Sequence, residues 1–201
     1  GTRHSNGAPG KNYWQNTANY DISIKFDPAT RLLSGSETIQ YTNNSPDTLK
    51  EILFKLYPNL YKKGSPRSMK IADADAGDGI IIEQLSINGE EQNVNRLRID
   101  ATNMTVRIKP LFAKQQLQFK IKFSYLLNKD SHIRTGQVDS GAFFIAYFFP
   151  RIAVYDDIDG WNYNQYNGSQ EFYNDFCNFK TAVTVPSNYM VWATGDLKNC
   201  N

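Results

Sequence analysis

Leu117-Gln118-Phe119-Lys120-Ile121-Lys122-Phe123-Ser124-Tyr125 is the stretch that decides the fold class. Apolar and polar side chains alternate along it without a break, and in an extended chain successive side chains point to opposite faces. One face is apolar and the other wet, the signature of an antiparallel strand with one side against a core. Upstream, Tyr20, Ile22, Ile24 and Phe26 alternate with Asp21, Ser23 and Lys25, and Asp27-Pro28-Ala29-Thr30 follows with turn chemistry. The segment from Gly35 to Thr42 sets Ile39 and Tyr41 on one face, and Ile52, Phe54 and Leu56 alternate with Leu53, Lys55 and Tyr57. A strand from Ile80 to Ile87 is closed by Asn88-Gly89, the dipeptide suited to a two-residue hairpin turn. Leu97 and Ile99 lead into Met104, Val106 and Ile108, and further strands are expected over Phe143–Phe149, Phe179–Val185 and Met190–Thr194.

No window carries a helical apolar stripe of useful length, so the expected fold is all-β. The expectation is one antiparallel or mixed β-sandwich, or a saddle-shaped sheet domain, of about nine to ten strands. Residues 1–12 are polar and rich in Gly and Asn, and read as a flexible leader ahead of a single domain over 13–201. Two segments resist assignment to strands: Tyr61 to Gly79, and the polar, aromatic stretch from Asp156 to Asn178. Long ordered loops in compact domains tend to carry function or an interface.

The composition excludes several classes of function. Twenty-two Lys and Arg against twenty Asp and Glu leave a net charge of +2, with no field to steer nucleic acid or an anionic membrane. The longest apolar stretch, Ala142 to Phe149, is strand-sized and far short of the roughly 20 residues of a membrane helix. Aromatic residues make up 13%, which suits half-buried pleated surfaces. Neither a phosphate-cradling glycine loop nor a G-x-S-x-G elbow occurs.

Candidate metal and catalytic residues are few. The histidines are His4, in the leader, and His132, in a polar loop. A catalytic zinc site draws on about three protein ligands, so one ordered histidine does not supply it, and His132 reads as a loop residue. Asp73-Ala74-Asp75-Ala76-Gly77-Asp78-Gly79 resembles the start of an oxygen-ligand calcium loop, but its acidic residues and glycines are out of register. Asp156, Asp157 and Asp159 form a second acidic cluster. Cys177 and Cys200 are free to pair or to stay apart, and no thiol-imidazole motif places Cys177 beside His132. Trp161, Tyr163, Tyr166, Phe172 and Tyr173 share one loop, which leaves open a free-standing carbohydrate- or protein-binding module.

Several stretches in order along the chain resemble the amino-terminal domain of the aminopeptidase N family of zinc metallopeptidases, particularly its bacterial members. They are Gly7-Ala8-Pro9-Gly10-Lys11-Asn12-Tyr13-Trp14-Gln15-Asn16, Tyr20-Asp21-Ile22-Ser23-Ile24, and Leu33-Ser34-Gly35-Ser36-Glu37. The most specific is Phe148-Phe149-Pro150-Arg151-Ile152-Ala153-Val154-Tyr155-Asp156-Asp157 with Gly160-Trp161. Glu171-Phe172-Tyr173, Val183-Thr184-Val185-Pro186 and Ala193-Thr194-Gly195-Asp196-Leu197 complete the match.

The resemblance implies a domain that packs against, and partly roofs, the thermolysin-like catalytic domain of the same protein. Zinc and the peptide-hydrolysing chemistry are then expected in that catalytic domain, whose G-x-M-E-N strand and H-E-x-x-H helix do not occur in this sequence. No metal and no catalytic residue are expected in the present chain, and an exported, periplasmic or cell-surface protein is implied. In many relatives the strand before the proline offers a Gln and then a Glu or Gln to the substrate's free amine. The matching positions are Tyr147 and Phe149, whose rings can hold a cation only through their faces. Their alternative role is core or interdomain packing.

Overall fold

The structure is a computed structural model and describes residues 1–198, so Cys200 lies outside the described residues. Alternation at the amino end builds β1 (Thr17–Asp27) and β2 (Leu32–Thr42), followed by β3 (Leu49–Lys55), β4 (Ile81–Ile87) and the short β5 (Glu90–Glu91). Next come β6 (Arg98–Asp100), β7 (Asn103–Leu111), β8 (Gln116–Leu126), β9 (Thr135–Asp139) and β10 (Ala142–Ile145). Three two-residue strands, β11 (Arg151–Ile152), β12 (Tyr155–Asp156) and β13 (Gly160–Trp161), precede β14 (Cys177–Thr184). The only helical turns among the described residues are 3-10 turns at Tyr57–Tyr61, Asp73–Asp75 and Val94–Arg96. None is long and apolar enough to cross a membrane.

The fold is all-β. A six-stranded sheet runs β14-β1-β2-β8-β4-β5, and a four-stranded sheet runs β11-β3-β7-β6. The large sheet is mixed because β14 pairs with β1 in parallel, from Ala18 opposite Cys177 to Lys25 opposite Thr184. Every other ladder is antiparallel. Two local turns are chemically determined. Asp27 caps its own turn, its Oδ1 accepting from the Ala29 amide at 3.1 Å and its Oδ2 from the Thr30 hydroxyl at 2.7 Å. Asn88 and Gly89 both take positive φ, 50° and 84°, as the hairpin between β4 and β5 requires.

The alternating faces of β1 and β8 bury Tyr20, Ile22, Ile24 and Phe26 and Leu117, Phe119, Ile121, Phe123 and Tyr125. Phe54 of the small sheet meets Phe119 of the large one edge to face, ring centroids 5.3 Å apart, and marks where the layers interdigitate. Gly35 of β2 lies opposite Phe123 of β8, and a Cβ there would stand 2.6 Å from the Phe123 ring. Glycine is needed because the aromatic ring fills the space a side chain would take.

Three expected strands differ. The run from Phe143 to Phe149 pairs only as far as Ile145, because Tyr147 takes a positive φ of 42° and Pro150 follows, which turns the chain out of the ladder. The strand expected at Phe179–Val185 starts earlier, at Cys177. No strand forms over Met190–Thr194, since an apolar run makes a strand only where a neighbouring strand offers backbone partners.

Glu37 is buried among the apolar residues of β2, and neither carboxylate oxygen has a hydrogen-bond partner among the described residues. Burial pushes its pKa well above the ordinary carboxylate range. A carboxyl raised in the folded state contributes stability that is full below its unfolded pKa and lost as pH rises through the folded value. Glu37→Met is therefore expected to raise the thermal midpoint at pH 8, by about 1–3 kcal/mol of stability, with the gain shrinking toward pH 4. Melting curves across that range would show this; a variant destabilised equally at every pH would contradict it.

Candidate functional site

β3 buries side chains on both faces. Ile52 and Phe54 share one face of the main core, and on the opposite face by alternation Leu53 belongs to the same core cluster while Lys55 is equally enclosed. The cover over that second face is the stretch Asp156–Asn178, joined by a second aromatic cluster of Tyr57, Leu60, Tyr61 and Tyr166 with Tyr147 and Phe172 against it. Between cover and sheet lies a cleft of about 530 Å³, with Lys55 among its lining residues.

Lys55 is 2% exposed, and its ammonium donates to Asn103 Oδ1 at 2.8 Å and to the Asn164 carbonyl at 2.7 Å. Asn103 in turn donates its side-chain amide to the Tyr163 carbonyl at 2.6 Å. Burial lowers the Lys55 pKa to about 8, since no carboxylate repays the desolvation of its charge. Sequence alternation sets Lys55 on one face with Leu53 and Tyr57, and all three are buried.

The aromatic loop is divided. Trp161 and Tyr166 are buried, Trp161 between Tyr155 and Tyr41 at 5.1 and 6.4 Å. The Arg134 guanidinium sits 5.7 Å over the Phe172 ring, so that face already holds a cation. Tyr163 and Tyr173 remain half-exposed at the cleft, their hydroxyls bonded to Glu51 and, at 3.0 Å, to Asp156. The acidic cluster beside them serves the backbone. Asp156 accepts from the Ile158 and Asp159 amides at 2.9 and 2.8 Å. Asp157 is held by Arg3 of the leader at 2.8 Å, and that guanidinium pulls its carboxyl down to about 2.

Tyr147 and Phe149 occupy different places. The Tyr147 hydroxyl donates to the Ile133 carbonyl, and its ring packs against Tyr57 and Phe172 at 5.9 and 4.9 Å. Phe149 packs edge-on against Tyr20 and Phe179, at 5.5 and 5.8 Å. Neither ring lines the cleft. Elsewhere the structure joins two segments that the sequence kept apart. Asp75, from the calcium-like loop, lies 3.3 Å from His132 Nε2, with Asp130 close by. The remainder of that acidic loop does not converge with them.

A third feature is exposed apolar surface on and around the edge strand β14. Phe176, Met190, Trp192 and Leu197 are 79–93% exposed, and β14 is exposed along most of its length. Phe179 of that strand stacks inward on Tyr20 at 5.0 Å but keeps almost half its surface open.

Lys55→Met is expected to strip the buried Asn103 oxygen and the part-buried Asn164 carbonyl of their donor and to lower stability by about 1–3 kcal/mol at neutral pH, with faster amide exchange over residues 160–166. Because the folded amine titrates below the unfolded one, the wild-type chain should gain stability relative to this variant between pH 8 and 10.5. Unchanged exchange in the cover would remove Lys55 from its support.

No protein-family model and no curated protein matches the sequence. Solved structures of similar fold include a two-domain M1 zinc metallopeptidase bound to L-arginine, 16% identical, with a TM-score of 0.48 over 87% of this chain and 33% of that one. An M1 zinc metallopeptidase from Deinococcus radiodurans is likewise 16% identical, with a TM-score of 0.48 over 86% and 33% of the two chains. Another from that organism, bound to a Tyr-Ser-Ala substrate, is 15% identical and covers 96% of this chain and 39% of its own, with a TM-score of 0.47. The chain thus spans about a third of the length of these structures.

Proposed function

We propose that this chain is a non-catalytic β domain that packs against a zinc-peptidase domain of the same protein and helps to wall its peptide-binding site. The observation that carries this reading is the exposure of Phe176, Met190, Trp192 and Leu197 in the segments that flank the exposed edge strand β14 in the chain. Large apolar side chains left in water forgo roughly 25 cal/mol per Å² of burial, and a segment that carries four of them is suited to being covered by another surface. The sequence resemblance to the aminopeptidase N family supplies the nature of the covering domain, and with it a peptide substrate, zinc in that domain, and an exported protein. Within this reading Phe149, which packs on Phe179 of the same strand, serves interdomain packing, and Tyr147 shapes the floor behind it.

A second reading draws on the cleft itself. Tyr163 and Tyr173 stand half-exposed at its rim, a placement that suits stacking on a sugar ring.

Acrylamide quenching of Trp192, isolated by difference with Trp192→Phe, separates the two. Trp192 is expected to be freely quenched in this chain and at least several-fold protected in a longer protein that continues through G-x-M-E-N and H-E-x-x-H. Such a protein should hydrolyse aminoacyl anilides with zinc, whereas residues 1–201 should not. Equal quenching in both, or binding of glycans to this chain that Tyr163→Ala abolishes, would transfer the function to the cleft.

A further inference from the structure

We infer that Asp75, Asp130 and His132 form a binding site for one divalent zinc-type cation, which ties the loop after the Tyr57–Tyr61 turn to the connection between β8 and β9. One ligand atom from each of the three lies within 4.8 Å of the others. Asp75 is fixed for the task. It is 4% exposed, and its Oδ1 accepts the Lys129 and Asp130 amides at 2.7 and 3.1 Å, leaving Oδ2 turned to His132. The Oδ2 to Nε2 separation of 3.3 Å is long for a charge-assisted hydrogen bond. It equals the edge of a tetrahedron with about 2.0–2.1 Å metal–ligand bonds, roughly 3.3–3.4 Å, so a metal fits between these atoms with little movement.

A separate observation concerns the cavity on the inner side of Asp75, which Asp130 and His132 do not line. The Tyr125 hydroxyl is buried with its side chain 6% exposed, and it has no hydrogen-bond partner among the described residues. It lines a small cavity of about 20 Å³ together with Asp75, Tyr61 and Asn128. That is room for one water, and a buried water needs polar partners of this kind. A water in that cavity would give the Tyr125 hydroxyl its missing partner and stand beside the carboxylate that heads the proposed site.

The ligand set selects the ion. Calcium takes six to eight oxygens and magnesium an octahedron of them, whereas two carboxylates and an imidazole suit zinc and its neighbours in the first transition row. The backbone around His132 is also uphill without a tether. Ile133 and Arg134 take consecutive positive φ of 43° and 63° in the tight turn between His132 and Thr135, a conformation poor for a β-branched residue. A cation on His132 holds that turn closed, and the Tyr61 hydroxyl already grips the His132 carbonyl at 3.0 Å.

The test is titration of the chelator-treated, tag-free chain with zinc chloride alone, by calorimetry and by thermal melting. One equivalent is expected to bind and to raise the melting temperature, and calcium chloride should do neither. His132→Ala and Asp130→Asn, both at partly or fully exposed positions that leave the core intact, should each weaken binding at least tenfold while keeping the wild-type circular dichroism. His4→Ala should bind as wild type does. No binding, binding that survives both site variants, loss of binding in His4→Ala, or an equal response to calcium would each overturn the site.

Discussion

Burial of β3 on both faces is the constraint on which the rest of the molecule depends. A strand in a two-layer sandwich usually keeps one face in water, and its polar residues go there. Here the face bearing Leu53 and Lys55 is roofed by the Asp156–Asn178 cover, so a segment without regular structure of any length has to be held down by side chains. Lys55 does this through Asn103 and the Asn164 carbonyl, and Thr102 does it through the Tyr166 amide at 2.8 Å. The aromatic cluster around Tyr57 adds the apolar contact that polar bonds alone would not supply.

Two buried ionisable groups show how differently such burial can be arranged. Lys55 keeps two hydrogen-bond acceptors and remains useful as a tether, though its charge is held less firmly than in water. Glu37 has no partner and sits in the main core as a group that is more comfortable protonated. Tyr20, equally buried, accepts the Ile152 amide at 3.0 Å through its hydroxyl and so ties the short β11 to the large sheet. Polar groups in this core therefore connect layers where they are paired and tax stability where they are not.

The exposed edge at β14 is the counterpart of that closed core. β14 is attached to the sheet by parallel pairing with β1 alone, and its side chains find little cover beyond Tyr20 and Phe149. The Arg151 guanidinium, 5.3 Å over the Phe179 ring, is one of the few groups that shields it. An edge strand with this much exposed apolar surface is suited to association.

Much of the fold was legible because alternation is a local property. The strands around Tyr20 and Leu117–Tyr125 and the Asn88-Gly89 hairpin are written in residues that lie next to one another, and burial followed their period-two pattern. Apolar runs misled at Met190–Thr194, where no neighbouring strand was there to pair with, and at Tyr147, where a positive φ ended a strand that apolar residues would have continued. The candidate sites were far less legible. Nothing in the spacing of Asp75 and His132, 57 residues apart, announces that they meet, and nothing near Lys55 in the sequence names Asn103 and Asn164 as its partners. The sequence by itself determined the all-β class, the strand faces and the turns, since backbone sterics and hydrophobic period act within a few residues. Only the tertiary structure decided which polar groups are buried, which acidic residues converge and which edge is left open, because those depend on contacts between segments that chain connectivity does not bring together.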